Sequence, residues 1–550
     1  MAQELTDTVE TLRCGSVRHV AADPMARAQL ALSTARSVAA AAAAWAEAAV
    51  TIKRAHGHAH EAIARAEELA TGPLATLRLL LITARALQDI ADAGLPRLAR
   101  PPRVAHRESG TAPSSVIEVD LLPVRGLHDA AIFPGYRATV RCANQGSINA
   151  FLGTWREECA MRPQEGGVAV VLGAGNVTGL AVADAICQIF EHGRAAMVKL
   201  HPAHEPLASV LRDAVRPLVE AGLVTFVTGG PETAREAITA DGVSHVHLTG
   251  GAAAFAAVAA STAKPITCEL GNVTPWFVVP GRYTPAQLRF QADTIATSIA
   301  NNTSFNCIAT KLVVTCQTWD QRDEFVGLIR RRLESLSPRP AWYPGSAGLW
   351  QDITGRVPPG DGSLPWVFRD GLRIDTDHDW ISREWFVPVA GELPLEAADV
   401  EAYCSRAVAL ARSLPGSLAA SVTVPEYLST RDAARADLLV EHLPFGVVGR
   451  NCWSALAYSM AGVPWGGYPG GTRSDPKSGI GFVHDPLLLP LVHNSIIRGP
   501  LAARLTPPWF PWHSRGVSLA RGLVDMYGAI ARGGSGLWKL TRMLPAVLRG

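Results

Sequence analysis

A chain of 550 residues is too long for one ordinary hydrophobic core, so two or three lobes sharing interfaces are expected. With 48% hydrophobic residues, 18% charged residues and a formal charge of +2, the composition is that of a globular protein. It excludes a disordered chain and gives no electrostatic footprint for nucleic acid.

The first ten residues, M-A-Q-E-L-T-D-T-V-E, carry acids where a secretory signal needs basic and then apolar residues, so export is not expected. The nine cysteines are odd in number and scattered, without C-x-x-C or Cys/His ligand spacing, which fits reduced thiols in the cytoplasm. From about residue 25 to 95, Ala, Leu, Glu and Arg recur at helical spacing, predicting two or three packed helices ended by Pro96, Pro101 and Pro102. The most apolar stretch there, L-R-L-L-L-I-T-A-R-A-L, is cut by Arg78 and Arg85, which argues against a membrane span. His56 and His60 would share a helix face, but Gly57 and the lack of a nearby carboxylate cluster favour a solvated face, and no metal site is expected.

The segments S-S-V-I-E-V-D-L-L-P-V and Y-R-A-T-V-R-C read as extended, with Pro123 suggesting an exposed edge. From Gly167 short apolar runs alternate with helical stretches: V-A-V-V-L, A-M-V-K-L, L-V-T-F-V-T and V-H-L-T. That alternation predicts right-handed β-α-β units in a parallel sheet, hence an α/β fold of nucleotide-binding type. A second α/β lobe is expected from about 270, beginning with P-W-F-V-V-P, and the chain returns through V-P-W-G-G-Y-P-G-G at 463–471. From Leu501 onward seven Lys/Arg face the single acid Asp525, around W-F-P-W and L-W-K-L. Such a basic amphipathic tail docks on the protein's own body or a partner, or lies on an anionic membrane surface.

Two strand-to-helix turns aim backbone N–H groups at the sheet's carboxyl edge: L-G-A-G-N-V-T-G (172–179) and H-L-T-G-G-A-A-A-F (247–255). The first departs from G-x-G-x-x-G, since Thr178 stands in the third glycine's place, and an ordinary β-α turn reads equally well. Cys307, in N-N-T-S-F-N-C-I-A-T-K, is by itself either a nucleophile or a small buried hydrophobe.

Taken together, the motifs resemble the aldehyde dehydrogenase superfamily. Asn176 matches the family's W-N-[FP], Thr249-Gly250 its T-G-S turn, and Glu269-Leu270-Gly271 its E-L-G-G. Asn302 lies five residues before Cys307 as in N-x-G-Q-x-C, Glu384 and Phe386 match E-x-F-G-P-V, and Asn451 and P-W-G-G-Y match the closing V-N and P-F-G-G-[YV]. The resemblance covers roughly residues 25 to 485. Its departures are Asn272 for the second Gly of E-L-G-G, Ser304 for the Gly before the cysteine, and Lys311 one position early, which mark a divergent member.

The resemblance implies an aldehyde dehydrogenase-like α/β architecture: N-terminal helices and a Rossmann-type domain (25–245), a catalytic domain (246–440), and a return segment (441–490). The 115–142 strands and the return would form an oligomerisation arm, followed by the basic extension (491–550). It further implies NAD(P)-dependent oxidation of an aldehyde to a carboxylic acid, in a cytoplasmic homodimer or homotetramer. Cys307 would be the nucleophile, Asn176 an oxyanion donor, and Glu269 the base that hydrolyses the thioester. Lys199, His201, Gly230, Thr249, Gly250, Gly251, Glu384 and Phe386 would hold the cofactor. Histidines at 201 and 204, where the family has lysine and glutamate, leave NAD and NADP both open. Phe305, Trp385 and Trp453 suggest an apolar aldehyde. Two rival readings are an acyl-CoA (thioester) reductase of the same superfamily and a non-catalytic binding relative; retention of Glu269 favours the oxidising direction.

Overall fold

Asp23 accepts a hydrogen bond from the Ala26 backbone N–H at 2.7 Å, and Pro24 follows it. An N-cap acid and a proline at the first helical position start the long alanine-rich helix Pro24–Ile52. The computed structural model describes residues 2–54, 57–107 and 114–549; His56 therefore lies outside the described residues. Helices Ala2–Ala21, His58–Leu69 and Ala75–Ala93 complete the N-terminal set, the first of them upstream of the expected helical region.

Strands β1 (Arg103–Arg107), β2 (Ser114–Asp120) and β3 (Arg137–Ala143) come next. The Rossmann-type lobe follows with β4 (Val168–Leu172), β5 (Ala195–Lys199), β6 (Val224–Val227), β7 (Val243–Gly250) and β8 (Ile266–Leu270). All five residues of β4 and of β5 are buried, as continuous apolar runs covered on both faces must be. The second lobe holds β9 (Pro275–Val278), β10 (Leu312–Cys316), the short pair β11 (Arg339–Pro340) and β12 (Ser363–Leu364), β13 (Val367–Arg369), β14 (Val389–Leu395), β15 (Ala419–Thr423) and β16 (Val447–Arg450). The chain then returns as β17 (Gly479–Ile480) and β18 (Val492–Arg498).

The first sheet runs β17-β8-β7-β4-β5-β6, parallel except for β17. The second runs β1-β2-β3-β18-β16-β15-β9-β10-β14-β13. Its members from β18 to β13 pair in parallel, whereas β1, β2 and β3 continue it antiparallel through β18. The segment outside the sheets therefore starts after Arg498 rather than at 491, because β18 is a buried member of the larger sheet.

Two large apolar cores match the two lobes. One joins the second sheet to its helices; the other joins the Rossmann-type sheet to the N-terminal helices and to Leu519, Val524, Met526 and Tyr527 of the helix Gly516–Ala531. That C-terminal helix is locked by a buried network. Arg78 donates to both carboxylate oxygens of Asp129 (2.6 and 2.9 Å), to Tyr527 Oη (2.7 Å) and to the Met460 carbonyl (2.8 Å). Among the described residues no helix is long and apolar enough to cross a membrane.

Candidate active site

In an open parallel sheet the ligand crevice lies beyond the carboxyl ends of the strands, where the strand order reverses. The turn after β4 carries Asn176, β8 carries Glu269, and the loop before β10 carries Cys307. Asn176 Nδ2 donates to the Phe305 carbonyl at 3.2 Å, two residues from the thiol. Asn302 Nδ2 donates to the carbonyls of both Asn176 (2.8 Å) and Phe305 (2.9 Å), tying the first turn to the loop that carries Cys307. The Cys307 carbonyl accepts from Thr274 Oγ1 at 3.0 Å.

The loop is conformationally costly. Asn302, Thr303 and Ser304 all have positive φ, at 54°, 58° and 65°. Left-handed backbone costs a non-glycine residue on the order of 1 kcal/mol or more, and a β-branched threonine is the least suited to it. Ser304, where the resembled motif has glycine, is held by Lys311, whose Nζ donates to Ser304 Oγ at 2.5 Å and to the Val387 carbonyl at 2.8 Å. Burial lowers the Lys311 ammonium to about 7, against the opposing pull of Glu384.

The two acids differ from ordinary surface carboxylates. Glu269 is 4% exposed and its Oε1 is buried without a partner. Burial raises its pKa well above the usual range and Asp184 adds to the rise, while a hydrogen bond with Trp465 opposes it. Glu384 lies against Gly271, so that a side chain at 271 would have to displace the Glu384 carboxylate. Its Oε1 is also buried and unpartnered, and burial raises it to about 8. The Cys307 thiol is pushed up by burial first, then by Glu384 and Glu269.

These signs give a test. Below pH about 8 Glu384 is protonated and leaves the thiol unaffected; above it the carboxylate opposes the thiolate. Iodoacetamide should therefore modify Cys307 at the same rate in the parent and in Glu384→Gln at pH 7. Above pH 8 the variant should be faster, by up to about tenfold, the change that one pKa unit makes. Coincident profiles up to pH 10 would refute the coupling.

The other expected site residues spread around this centre. Lys199 ends β5, and burial lowers its ammonium. His201 Nδ1 accepts from the Ala203 N–H at 3.1 Å, and its ring stacks on Tyr343 at 6.0 Å. It fills the space beside Gly175, where a Cβ would lie 2.3 Å from the imidazole. His204, the expected counterpart of a family glutamate, is buried and kept neutral by burial. Glu205 accepts from the Gly229 N–H at 2.7 Å.

Gly230 and Gly251 precede helices Pro231–Thr239 and Ala252–Ser261; neither helix has a side-chain cap, and a Cβ on either glycine would meet nothing within 4 Å. Gly250 ends β7, and Phe386 packs on Tyr343 at 5.0 Å and Phe305 at 6.2 Å. The Thr249 hydroxyl points inward, donating to Asp184 Oδ2 at 3.0 Å.

Phe305, Trp385 and Trp453 are all buried. Phe305 is fully buried among Trp342, Tyr343 and Phe386, and the two indoles donate to the carbonyls of Asp379 and Ile308. A small, mostly apolar void with room for about one water is bordered by Ala75, Leu79, Ala183, Val463, Trp465 and His484. Trp465 joins it to Glu269.

The N-terminal helices contribute more than packing, which sequence reasoning missed. Lys53 Nζ donates to Asn302 Oδ1 at 2.5 Å and pairs with Glu68, which accepts from Thr178 Oγ1 at 2.5 Å. Glu67 accepts from the Asn302 N–H at 3.1 Å and from both Arg339 nitrogens (2.9 and 2.7 Å). The available signal was Thr178 in a glycine's place, facing Gly72, where a Cβ would crowd Thr178 Oγ1 at 3.2 Å. A further group, Cys187, Glu191 and His192, has ligand-type atoms within 4.8 Å of one another. Arg162 acts on Glu191 and Arg194 on Cys187, and these guanidiniums oppose a cation there.

A family model described as the aldehyde dehydrogenase family matches residues 136–344, the span that carries Asn176, Glu269 and Cys307. The likeness to the aldehyde dehydrogenase family is carried by this central segment. Curated relatives are the aldehyde dehydrogenase family 3 member A2 proteins of Rattus norvegicus (27% identical over 128 residues) and Mus musculus (28% over 129). Each alignment takes in 23% of this chain and 26% of the relative, so it spans about a quarter of either relative's length.

Solved structures share the fold across nearly the whole chain. The glyceraldehyde-3-phosphate dehydrogenase of Methanocaldococcus jannaschii, complexed with NADP, has a TM-score of 0.61 at 13% identity, covering 90% of this chain and 94% of that one. An NAD-dependent aldehyde dehydrogenase from Sinorhizobium meliloti has a TM-score of 0.58 at 16% identity, covering 90% and 87%. The NADP-dependent glyceraldehyde-3-phosphate dehydrogenase of Bacillus halodurans, complexed with NADP, has 0.60 at 17%, covering 90% and 91%. This aldehyde dehydrogenase-type fold, an α/β Rossmann-like domain beside a catalytic domain, agrees with the expected class.

Proposed function

We propose that the chain oxidises an apolar aldehyde to its carboxylic acid, with Cys307 as nucleophile, Glu269 as the base that activates water, and NAD or NADP as acceptor. The observation that carries the reading is Glu269: a buried carboxyl with an unpartnered Oε1, electrostatically coupled to the Cys307 thiol.

The residues present fit a dinucleotide. Two uncapped helix N-termini behind the open glycines Gly230 and Gly251 suit a pyrophosphate, and the unpartnered Glu384 Oε1 suits a ribose hydroxyl. Lys199, His201, Gly250 and Phe386 would complete that cleft, whereas Thr249 would act through its backbone, its hydroxyl being committed to Asp184. When bound, NAD or NADP supplies the two-electron acceptor.

The chain's own residues supply the rest. Cys307 Sγ, as thiolate, bonds to the carbonyl carbon, and the new oxyanion is stabilised by the Asn176 amide and the Cys307 N–H. Loss of the C–H hydrogen with its electron pair leaves a thioester on Cys307. Glu269 takes a proton from water, the water oxygen bonds to the acyl carbon, and the C–S bond breaks to restore the thiolate and release the acid. The buried aromatic side chains of Phe305, Trp385 and Trp453, close in the chain or in space to Cys307 and Glu384, support an apolar substrate. A homo-oligomer is part of the proposal, by analogy with the family.

The test follows absorbance of the reduced cofactor with purified protein, NAD or NADP, and a panel of straight-chain aldehydes. Cofactor reduction is expected with apolar members of the panel. Oxidation of reduced cofactor with acyl-CoA alone would move the assignment to a thioester reductase, and silence in both directions would favour a non-catalytic relative.

A further inference from the structure

The basic tail divides into a part that is covered and a part that is not. Phe510 is buried and packs on Phe290 at 6.0 Å, Arg332 sits 4.2 Å from the Trp512 ring centre, and the helix Gly516–Ala531 is locked by the Tyr527–Arg78 hydrogen bond. This part docks on the protein's own body.

The terminal helix Leu537–Leu548 docks by one face only. Met543 is buried against Gly522, where a Cβ would lie 2.4 Å from the Met543 sulfur, and the half-buried Leu540, Ala546 and Val547 pack on the same core. Leu537, Trp538, Leu544 and Leu548 are 52%, 50%, 56% and 62% exposed. Positions 537, 544 and 548 are spaced i, i+7 and i+11, which puts them on one helix face, with Trp538 at its border. Lys539 and Arg542 lean on the Trp538 ring at 4.4 and 4.5 Å, and Arg549 closes the helix. Residues 537–550 contain no acid; the nearest partner is Asp525 of the preceding helix, 3.6 Å from Lys539.

We infer that this helix is a docking surface for an anionic phospholipid bilayer, lying in the interface with its leucines inward and Lys539, Arg542 and Arg549 at the headgroups. An apolar stripe edged by tryptophan and by cations with long aliphatic stems is the pattern that partitions between hydrocarbon and headgroup. Charge decides against a second copy of the chain. A two-fold contact would set each helix against itself, bringing the cations of both copies together without an acid on either helix. Anionic lipid answers the same charges with phosphate. The helix is too short and too interrupted, with Pro545 inside it, to span, so it would lie on the surface.

The experiment is flotation of the full chain with vesicles of phosphatidylcholine alone and of phosphatidylcholine mixed with phosphatidylglycerol; it needs no turnover and is independent of the proposed reaction. The parent is expected to float with the anionic vesicles, with partition at least about tenfold above that on phosphatidylcholine, and to be released by high salt. Two variants of exposed residues are expected to remain with the unbound fraction: W538S/L544S/L548S and K539Q/R542Q/R549Q. Circular dichroism would check that both are folded. A parent that floats with neither vesicle, or variants that float as the parent does, would overturn the inference. So would a parent that sediments as a dimer that W538S/L544S/L548S dissolves without any lipid binding, which would assign the face to a second copy.

Discussion

Glu269→Gln is expected to release one equivalent of reduced cofactor per Cys307 in a burst and then stall, whereas Cys307→Ser should give neither burst nor turnover. The split follows from where each residue acts. In the proposed reaction Cys307 forms the adduct from which the two electrons leave, so without it the first turnover should be lost. In that reaction Glu269 acts only when water attacks the thioester, so its amide variant should accumulate acyl-enzyme and lose roughly 100- to 10,000-fold in steady-state rate. The buried setting sharpens the expectation, because glutamine is isosteric and removes a carboxyl whose Oε1 has no other partner to disturb. Burial raises the Glu269 pKa well above the usual range, with Asp184 adding to the rise, so hydrolysis should speed up as pH rises toward it. The measurement is stopped-flow absorbance of the reduced cofactor, with mass spectrometry of the protein after the burst. A Glu269→Gln protein that turns over at the parental rate would remove Glu269 from the mechanism.

These groups were picked out in the sequence by the motifs of the family resemblance, each of which sits in a local signal. A glycine turn after an apolar run marks Asn176, a strand end marks Glu269, and the polar loop before β10 marks Cys307. The α/β class was legible for the same reason: β4 and β5 are uninterrupted apolar runs whose length and flanking turns fix them as buried parallel strands. Side-chain direction was not legible. Thr249 lies in the expected turn yet bonds Asp184 on another element, and Phe305 lies two residues from Cys307 yet is sealed in an aromatic cluster. Nor could pattern reasoning find partners hundreds of residues apart. Lys53 meets Asn302 across 249 positions, and Arg339 meets Glu67 across 272. Helical periodicity marks those N-terminal charges as ordinary solvated positions, whereas Lys53 and Glu68 are almost fully buried.

Those distant pairs carry the other large effect. Glu67→Ala is expected to destabilise the protein by about 3–5 kcal/mol, since it leaves the Arg339 guanidinium buried without its carboxylate. Burial alone would raise Glu67, but Arg339 overrides it and holds the carboxyl below its ordinary range. Its stabilising contribution is therefore complete above the unfolded glutamate pKa of about 4.3 and is lost as pH falls through the lowered folded value.

The same carboxylate receives the Asn302 N–H, at the first of three left-handed residues leading to Cys307. Stability and loop geometry can thus be separated. Glu67→Met combined with Arg339→Met removes both charges and should recover most of the stability, because replacing a whole buried pair by apolar side chains is often neutral. It cannot restore an acceptor for the Asn302 N–H. In that double variant the unfolding midpoint should approach the parent's, while Cys307 alkylation changes and cofactor reduction falls. Glu67→Gln, which keeps an acceptor oxygen, should retain more of the parental alkylation rate than the double variant. Parental alkylation and turnover in a stable double variant would reduce the Glu67–Arg339 pair to packing. Altered thiol reactivity at restored stability would mean that the N-terminal helices hold the Cys307 loop in its strained backbone.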